Sequence, residues 1–80
     1  MTVLKAQLLV KGRDRMEMTL KAARVNAGLT QIEAAKLVGA TKNTISNYER
    51  YLSQPSIEMA QKLASAYGCA VNDLKFRPTA

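Results

Sequence analysis

Apolar residues recur at helical spacing between Met18 and Ala27, at Leu20, Ala23 and Ala27. Thr19 can accept a first-turn N–H and Gly28 follows as a left-handed stop, so the pattern predicts a first helix here. Ile32, Ala35 and Val38 form the next stripe, and Thr30 and Glu33 stand at capping-box spacing ahead of it. A second helix is predicted over Gln31 to Val38. Gly39 ends it, Ala40 is a single apolar spacer, and Thr41 can cap a third helix from about Lys42 to Arg50. Its Ile45 and Tyr48 share one face. Pro55 and Ser56 open a fourth helix with Ile57, Ala60, Leu63, Ala64 and Tyr67 at helical spacing, closed by Gly68. Asn72 is expected to cap a short fifth helix through Leu74 and Phe76. Val3, Leu4, Ala6, Leu8, Leu9 and Val10 fit neither period, so strand and helix are both open there.

The second and third helices are separated by only three residues, Gly39, Ala40 and Thr41. Two short helices on a tight Gly-containing turn make a helix-turn-helix motif, and each turn residue has a physical reason. Ala35 lies where the helices come closest, which demands a small side chain. Gly39 supplies a positive φ that a Cβ would penalise. Ala40, Ile45 and Tyr48 can pack beneath the turn and set the angle between the helices.

Helix geometry places Asn43, Ser46, Asn47 and Arg50 on one stripe opposite Ile45 and Tyr48, with Lys42 beside it. Asn can pair with both major-groove edges of adenine, and Lys can reach O6 and N7 of guanine. Lys42, Asn43, Ser46 and Asn47 are therefore candidate base readers; the alternative is an ordinary solvated helix face. Gln31 opens the second helix, where free N–H groups and the positive dipole end suit a phosphate. Thr41, Thr44, Arg50, Tyr51, Ser53 and Gln54 are further phosphate candidates.

The chain resembles the phage repressor and Cro (XRE) family of DNA-binding domains. The resemblance runs from about Met18 to Phe76. It rests on the joint spacing of Arg24, Gly28-Leu29-Thr30-Gln31, Ala35, Gly39, Thr41, Ile45, Tyr48-Glu49, Pro55-Ser56 and Ala66-Tyr67-Gly68-Cys69-Ala70-Val71. It implies an all-α fold, a compact five-helix lambda-repressor-like domain whose third helix enters the major groove. It also implies that Arg24 and Glu49 pair the first helix with the end of the third, orienting it rather than adding much net stability. Two departures from the family pattern matter. Tyr51 stands where a Gly often ends the third helix, so that helix either runs on or ends with strain. Ala34 replaces a larger aliphatic, which leaves Ile32 or Leu37 to fill the volume.

Eighty residues make one domain with a small core. The helix-turn-helix domain is expected over residues 16–76, with a C-terminal tail at 77–80. Twelve Lys and Arg against six Asp and Glu give a net charge of +6, the sign expected of a phosphate partner. Residues 1–15 hold Lys5, Lys11, Arg13 and Arg15 against Asp14, half of that excess, as a basic arm, strand or passive tail. With no His and a single Cys69, no metal or cofactor is expected, and Cys69 reads as a small core residue. The stretch Val3 to Val10 is too short to span a bilayer and no cleavage site follows, so a cytoplasmic protein without a membrane role is expected.

A catalytic function is not expected in a chain this small, which lacks a histidine and a phosphate loop. The expectation is sequence-specific binding of double-stranded DNA by a transcriptional regulator of the repressor kind. Such a regulator would bind a palindromic operator as a homodimer, with Val71, Leu74 and Phe76 at the dimer contact. The alternative is an antitoxin or co-regulator module that chiefly contacts a protein partner.

Overall fold

The computed structural model describes residues 17–77. The expectations for residues 1–15, and for the tail beyond Arg77, lie outside the described residues. Among these the elements run β1 Met18–Thr19, α1 Leu20–Asn26, α2 Gln31–Val38, α3 Lys42–Glu49, α4 Ile57–Tyr67, a 3-10 turn Val71–Asp73, and β2 Leu74–Lys75.

Each helix starts where a hydroxyl can take a first-turn N–H. Thr19, Thr30, Thr41 and Ser56 accept from Ala22, Glu33, Thr44 and Met59 at 3.0 to 3.1 Å. Such a cap contributes about 1 kcal/mol. Glu33 completes the expected capping box by accepting from the Thr30 N–H at 2.9 Å.

The helices also end alike, each by a backbone N–H reaching five residues back. Leu29 donates to the Arg24 carbonyl at 3.1 Å, Ala40 to Ala35 at 2.8 Å, Leu52 to Asn47 at 2.9 Å and Cys69 to Ala64 at 3.0 Å. This closure needs a residue at positive φ just before the donor. Three of the four closures use Gly28, Gly39 and Gly68, but α3 uses Tyr51 at φ 60°. Of the two outcomes open at Tyr51, the helix therefore ends with strain. A side chain in that conformation costs about 1 kcal/mol.

The fifth helix expected from Asn72 does not form. Asp73 accepts from the Ala70 N–H at 3.2 Å and shapes one 3-10 turn, after which β2 runs parallel to β1. Met18 aligns with Leu74 and Thr19 with Lys75. A segment this short cannot offset the cost of nucleating an α-helix, whereas β1 offers its backbone groups as ready partners.

The core lies between α1, α2, α3 and α4, with Leu20, Ile45 and Leu63 as its largest fully buried side chains. Among the described residues alanine supplies five of the eleven buried apolar residues, so helices close up on small side chains. This corrects the expectation at Ala34, which is wholly buried while Ile32 and Leu37 are 52% and 62% exposed and fill nothing beside it. Ala27 and Ile57, placed inward by spacing alone, also face solvent. Cys69 is half-buried against the core, where burial raises its thiol pKa and the charge of Asp73 adds to the shift.

Candidate nucleic-acid interface

The turn from α2 to α3 holds the two helices in a fixed relation. Ala35 and Ile45 are buried, and Ala40 and Tyr48 pack against the core as expected. Gly39 sits at φ 74° with nothing within 4 Å of a Cβ built there. Backbone conformation rather than space thus selects glycine at this point.

With its inner face pinned, α3 turns a polar face outward. Lys42, Asn43 and Arg50 are exposed, and Ser46 and Asn47 are half-exposed. Arg50 is the cap residue just beyond the last turn, so the helix stops at Glu49, one residue short of the end expected at Arg50. Among the described residues, none of these five side chains makes a side-chain hydrogen bond or ion pair. No described residue occupies their side-chain donors and acceptors.

At the far end of α3 the opposite holds. Arg24 Nε donates to Glu49 Oε2 at 2.6 Å and its Nη2 to Oε1 at 3.3 Å. Arg24 Nη1 donates to the Leu29 carbonyl at 2.8 Å. The Arg24 and Glu49 side chains are 9% and 5% exposed, so the pairing implied by the family resemblance is formed and desolvated. Its hydrogen bond to Glu49 raises the Arg24 pKa, and burial opposes part of that rise. Tyr67 is buried nearby, and burial pushes its phenol up to about 12, with the negative charge of Glu49 adding to the shift.

A third partner, Gln31, was expected only as a phosphate contact. Its Nε2 donates to Glu49 Oε1 at 3.0 Å. Nothing local in the sequence signals this bond, because its partners lie 18 positions apart. The first-turn N–H groups of Gln31 and Ile32 have no helical acceptor and can still meet an anion, although Glu33 places a negative charge in the same turn.

The remaining phosphate candidates divide. The Thr41 hydroxyl caps α3 and lies 3.0 Å from that of Thr44, so both are partly committed within the chain. Ser53 and Gln54 are exposed in the loop after α3, and Tyr51 is half-buried. Of the three apolar residues expected at a dimer contact, Leu74 is instead core, 6% exposed. Val71 and Phe76, together with Ile57 and Ala60, line an open groove of about 370 Å³. Among the described residues no helix is long and apolar enough to cross a membrane.

The model of the Helix-turn-helix family matches residues 20–74, which takes in all four helices and the network around Glu49. The chain is 40% identical over 55 residues to the HTH-type transcriptional regulator ImmR of Bacillus subtilis, covering 69% of this chain and 43% of ImmR. It is 36% identical over 55 residues to the cryptic phage CTXphi transcriptional repressor RstR of Vibrio cholerae, covering 69% of this chain and 50% of RstR. An uncharacterized HTH-type transcriptional regulator of Archaeoglobus fulgidus is 34% identical over 59 residues, 74% of this chain and 84% of that protein. The chain thus spans half or less of the first two relatives. No solved structure matches it significantly. On the matched profile, the turn geometry and the Arg24–Glu49 pair, the chain belongs to the helix-turn-helix family of the phage repressor and Cro (XRE) type.

Proposed function

We propose that the chain binds a specific double-stranded DNA sequence through α3 and acts as a transcriptional regulator, in the manner of a repressor. The observation that carries this reading is the contrast along α3. Its polar outer side chains are unpaired among the described residues, while the helix itself is fixed by the turn and by Glu49. The relatives named as transcriptional regulators and a phage repressor support the same reading.

In this reading Lys42, Asn43, Ser46 and Asn47 meet base edges in the major groove. The first turn of α2 at Gln31, with Thr41, Thr44, Arg50, Tyr51, Ser53 and Gln54, meets phosphates. The function is binding without catalysis, in the cytoplasm, and needs no metal or cofactor. Two copies bind a palindromic operator, because one recognition helix reads too few base pairs to be selective. Ile57, Val71 and Phe76 are the apolar residues offered to the second copy, in place of the buried Leu74.

Selection of bound sequences from random duplex DNA tests this reading, followed by affinity measurements at several salt concentrations. The expected outcome is a symmetric site with half-sites about one helical turn apart. Binding should weaken with a log–log salt slope of roughly −0.9 per neutralised phosphate. A strictly one-to-one complex on an asymmetric site would contradict the dimer. Absence of duplex binding at low salt would favour the alternative of an antitoxin or co-regulator module with a protein partner. That alternative draws support from Ile57, which is 81% exposed beside the groove.

A further inference from the structure

Helices α2 and α3 are each eight residues long and are joined by Gly39, Ala40 and Thr41. Gln31 is the first residue of α2 and Glu49 the last of α3, so the 3.0 Å hydrogen bond between their side chains ties the two helices at the ends remote from the turn. A turn alone fixes the angle between two helices only through packing; a bond between the far ends adds a direct constraint. We propose that Gln31 is a positioning residue, a strut that sets the angle between α2 and α3, and that this is the main role of its side chain. The proposal rests on the DNA-binding reading above, since the angle matters for aiming α3 into a groove.

The strut is stiff because its anchor is stiff. Glu49 Oε2 is held at 2.6 Å by Arg24 Nε, while at Oε1 the 3.0 Å bond from Gln31 is shorter than the 3.3 Å bond from Arg24 Nη2. Gln31 therefore supplies the better donor to an oxygen on a side chain only 5% exposed, where water is a poor substitute. Arg24 also donates to the carbonyl of Leu29 at 2.8 Å. Leu29 and Gln31 flank Thr30, the cap of α2, so both sides of that helix start are tied to the end of α3. Phosphate capture at the start of α2 and base reading by α3 then act as one rigid unit. One N–H of the Gln31 amide is committed to Glu49, which leaves only the other for a phosphate.

A phosphate ligand and a strut predict different binding patterns. Gln31→Met keeps the length and helix preference of the side chain but removes the donor. It should lower affinity for the selected site by about tenfold, the size of one hydrogen bond to a charged group. Affinity for random duplex should change by roughly twofold or less, because that binding does not need an aimed reader. Gln31→Lys restores a donor to Glu49 and should recover the ratio of specific to random affinity. Equal losses on both duplexes, or no loss on either, would overturn the proposal. A second measurement needs no DNA: in the free wild-type chain the Gln31 side-chain amide proton bonded to Glu49 should exchange with water more slowly than those of the exposed Gln54. Fast exchange would equally overturn the strut. Should the wild-type chain bind no duplex, the binding reading fails, while the exchange measurement still decides whether the strut exists.

Discussion

On its inner end α3 commits Glu49 to two partners, Arg24 and Gln31, and on its outer face it leaves Lys42, Asn43, Ser46 and Asn47 without a partner among the described residues. These groups share one eight-residue helix. At the anchor, burial makes each missing bond expensive, and Glu49 and Arg24 are matched by each other, by Gln31 and by the Leu29 carbonyl. On the outer face water satisfies the same kinds of groups at little cost, and in the proposed function that water is exchanged for base edges. In the proposed function, rigidity and recognition are thus kept on separate residues of α3. Loss of the Arg24–Glu49 pair should therefore appear in folding and changes on the outer face in binding, while loss of the Gln31 bond, which leaves that pair in place, should appear in how α3 is aimed.

The largest effect should come from breaking the anchor. Glu49→Ala leaves Arg24 buried without its counter-charge and should cost about 3 to 5 kcal/mol of stability in urea unfolding. Replacing Arg24 and Glu49 together with apolar residues should cost less than either single change, because a lone buried charge is worse than none. Additive losses would show that the two do not act as a pair.

Tyr67, behind the anchor, provides a pH test. In the folded chain its phenol keeps its proton to about pH 12. The unfolded chain releases it near pH 10. The unfolded state therefore binds fewer protons in this interval, and stability falls as pH rises from about 10 to about 12. The contribution is intact below pH 10, and its loss should reach about 2 to 3 kcal/mol. Urea unfolding of wild type and Tyr67→Phe across that interval checks it, since the variant should lose that component of the slope.

Tyr51 should move stability in the other direction. Gly in its place relieves the strain at φ 60° and should stabilise the fold by about 1 kcal/mol. In a domain of this size the melting temperature should rise by roughly 4 to 8 °C. A lower melting temperature would mean that Tyr51 packing outweighs its strain. The smallest effect is expected on the reading face, where Asn43→Ala and Lys42→Ala should leave stability within about 0.5 kcal/mol. A larger loss would mean that the face also supports the fold.

Features decided by local chemistry were legible in the sequence. The Thr30–Glu33 capping box and the stops at Gly28, Gly39 and Gly68 involve neighbours a few residues apart, whereas Tyr51 stood out only through the family resemblance, which left open whether α3 runs on or ends with strain. The Arg24–Glu49 pair was legible only through the family resemblance. The strand pairing of Met18 with Leu74 and the bond of Gln31 to Glu49 join distant positions, and periodicity carries no information about either. The missing fifth helix had one local signal, Asp73 three residues after Ala70, which marks a tight turn as readily as a helix start. Exposed Ile32 and Ile57 sat on correct helical stripes. An apolar stripe shows which residues share a face, but the neighbours decide how much of it is covered.

The account rests on the reading face of α3, and one measurement reaches it directly. Affinities of wild type, Lys42→Ala, Asn43→Ala and Asn47→Ala would be compared on the duplex selected from random DNA and on random duplex. Each change is expected to cost about 1 to 3 kcal/mol on the selected site and to relax preference at one base pair, with little loss on random duplex. Equal losses on the two duplexes, in variants whose circular dichroism matches wild type, would contradict base reading by α3.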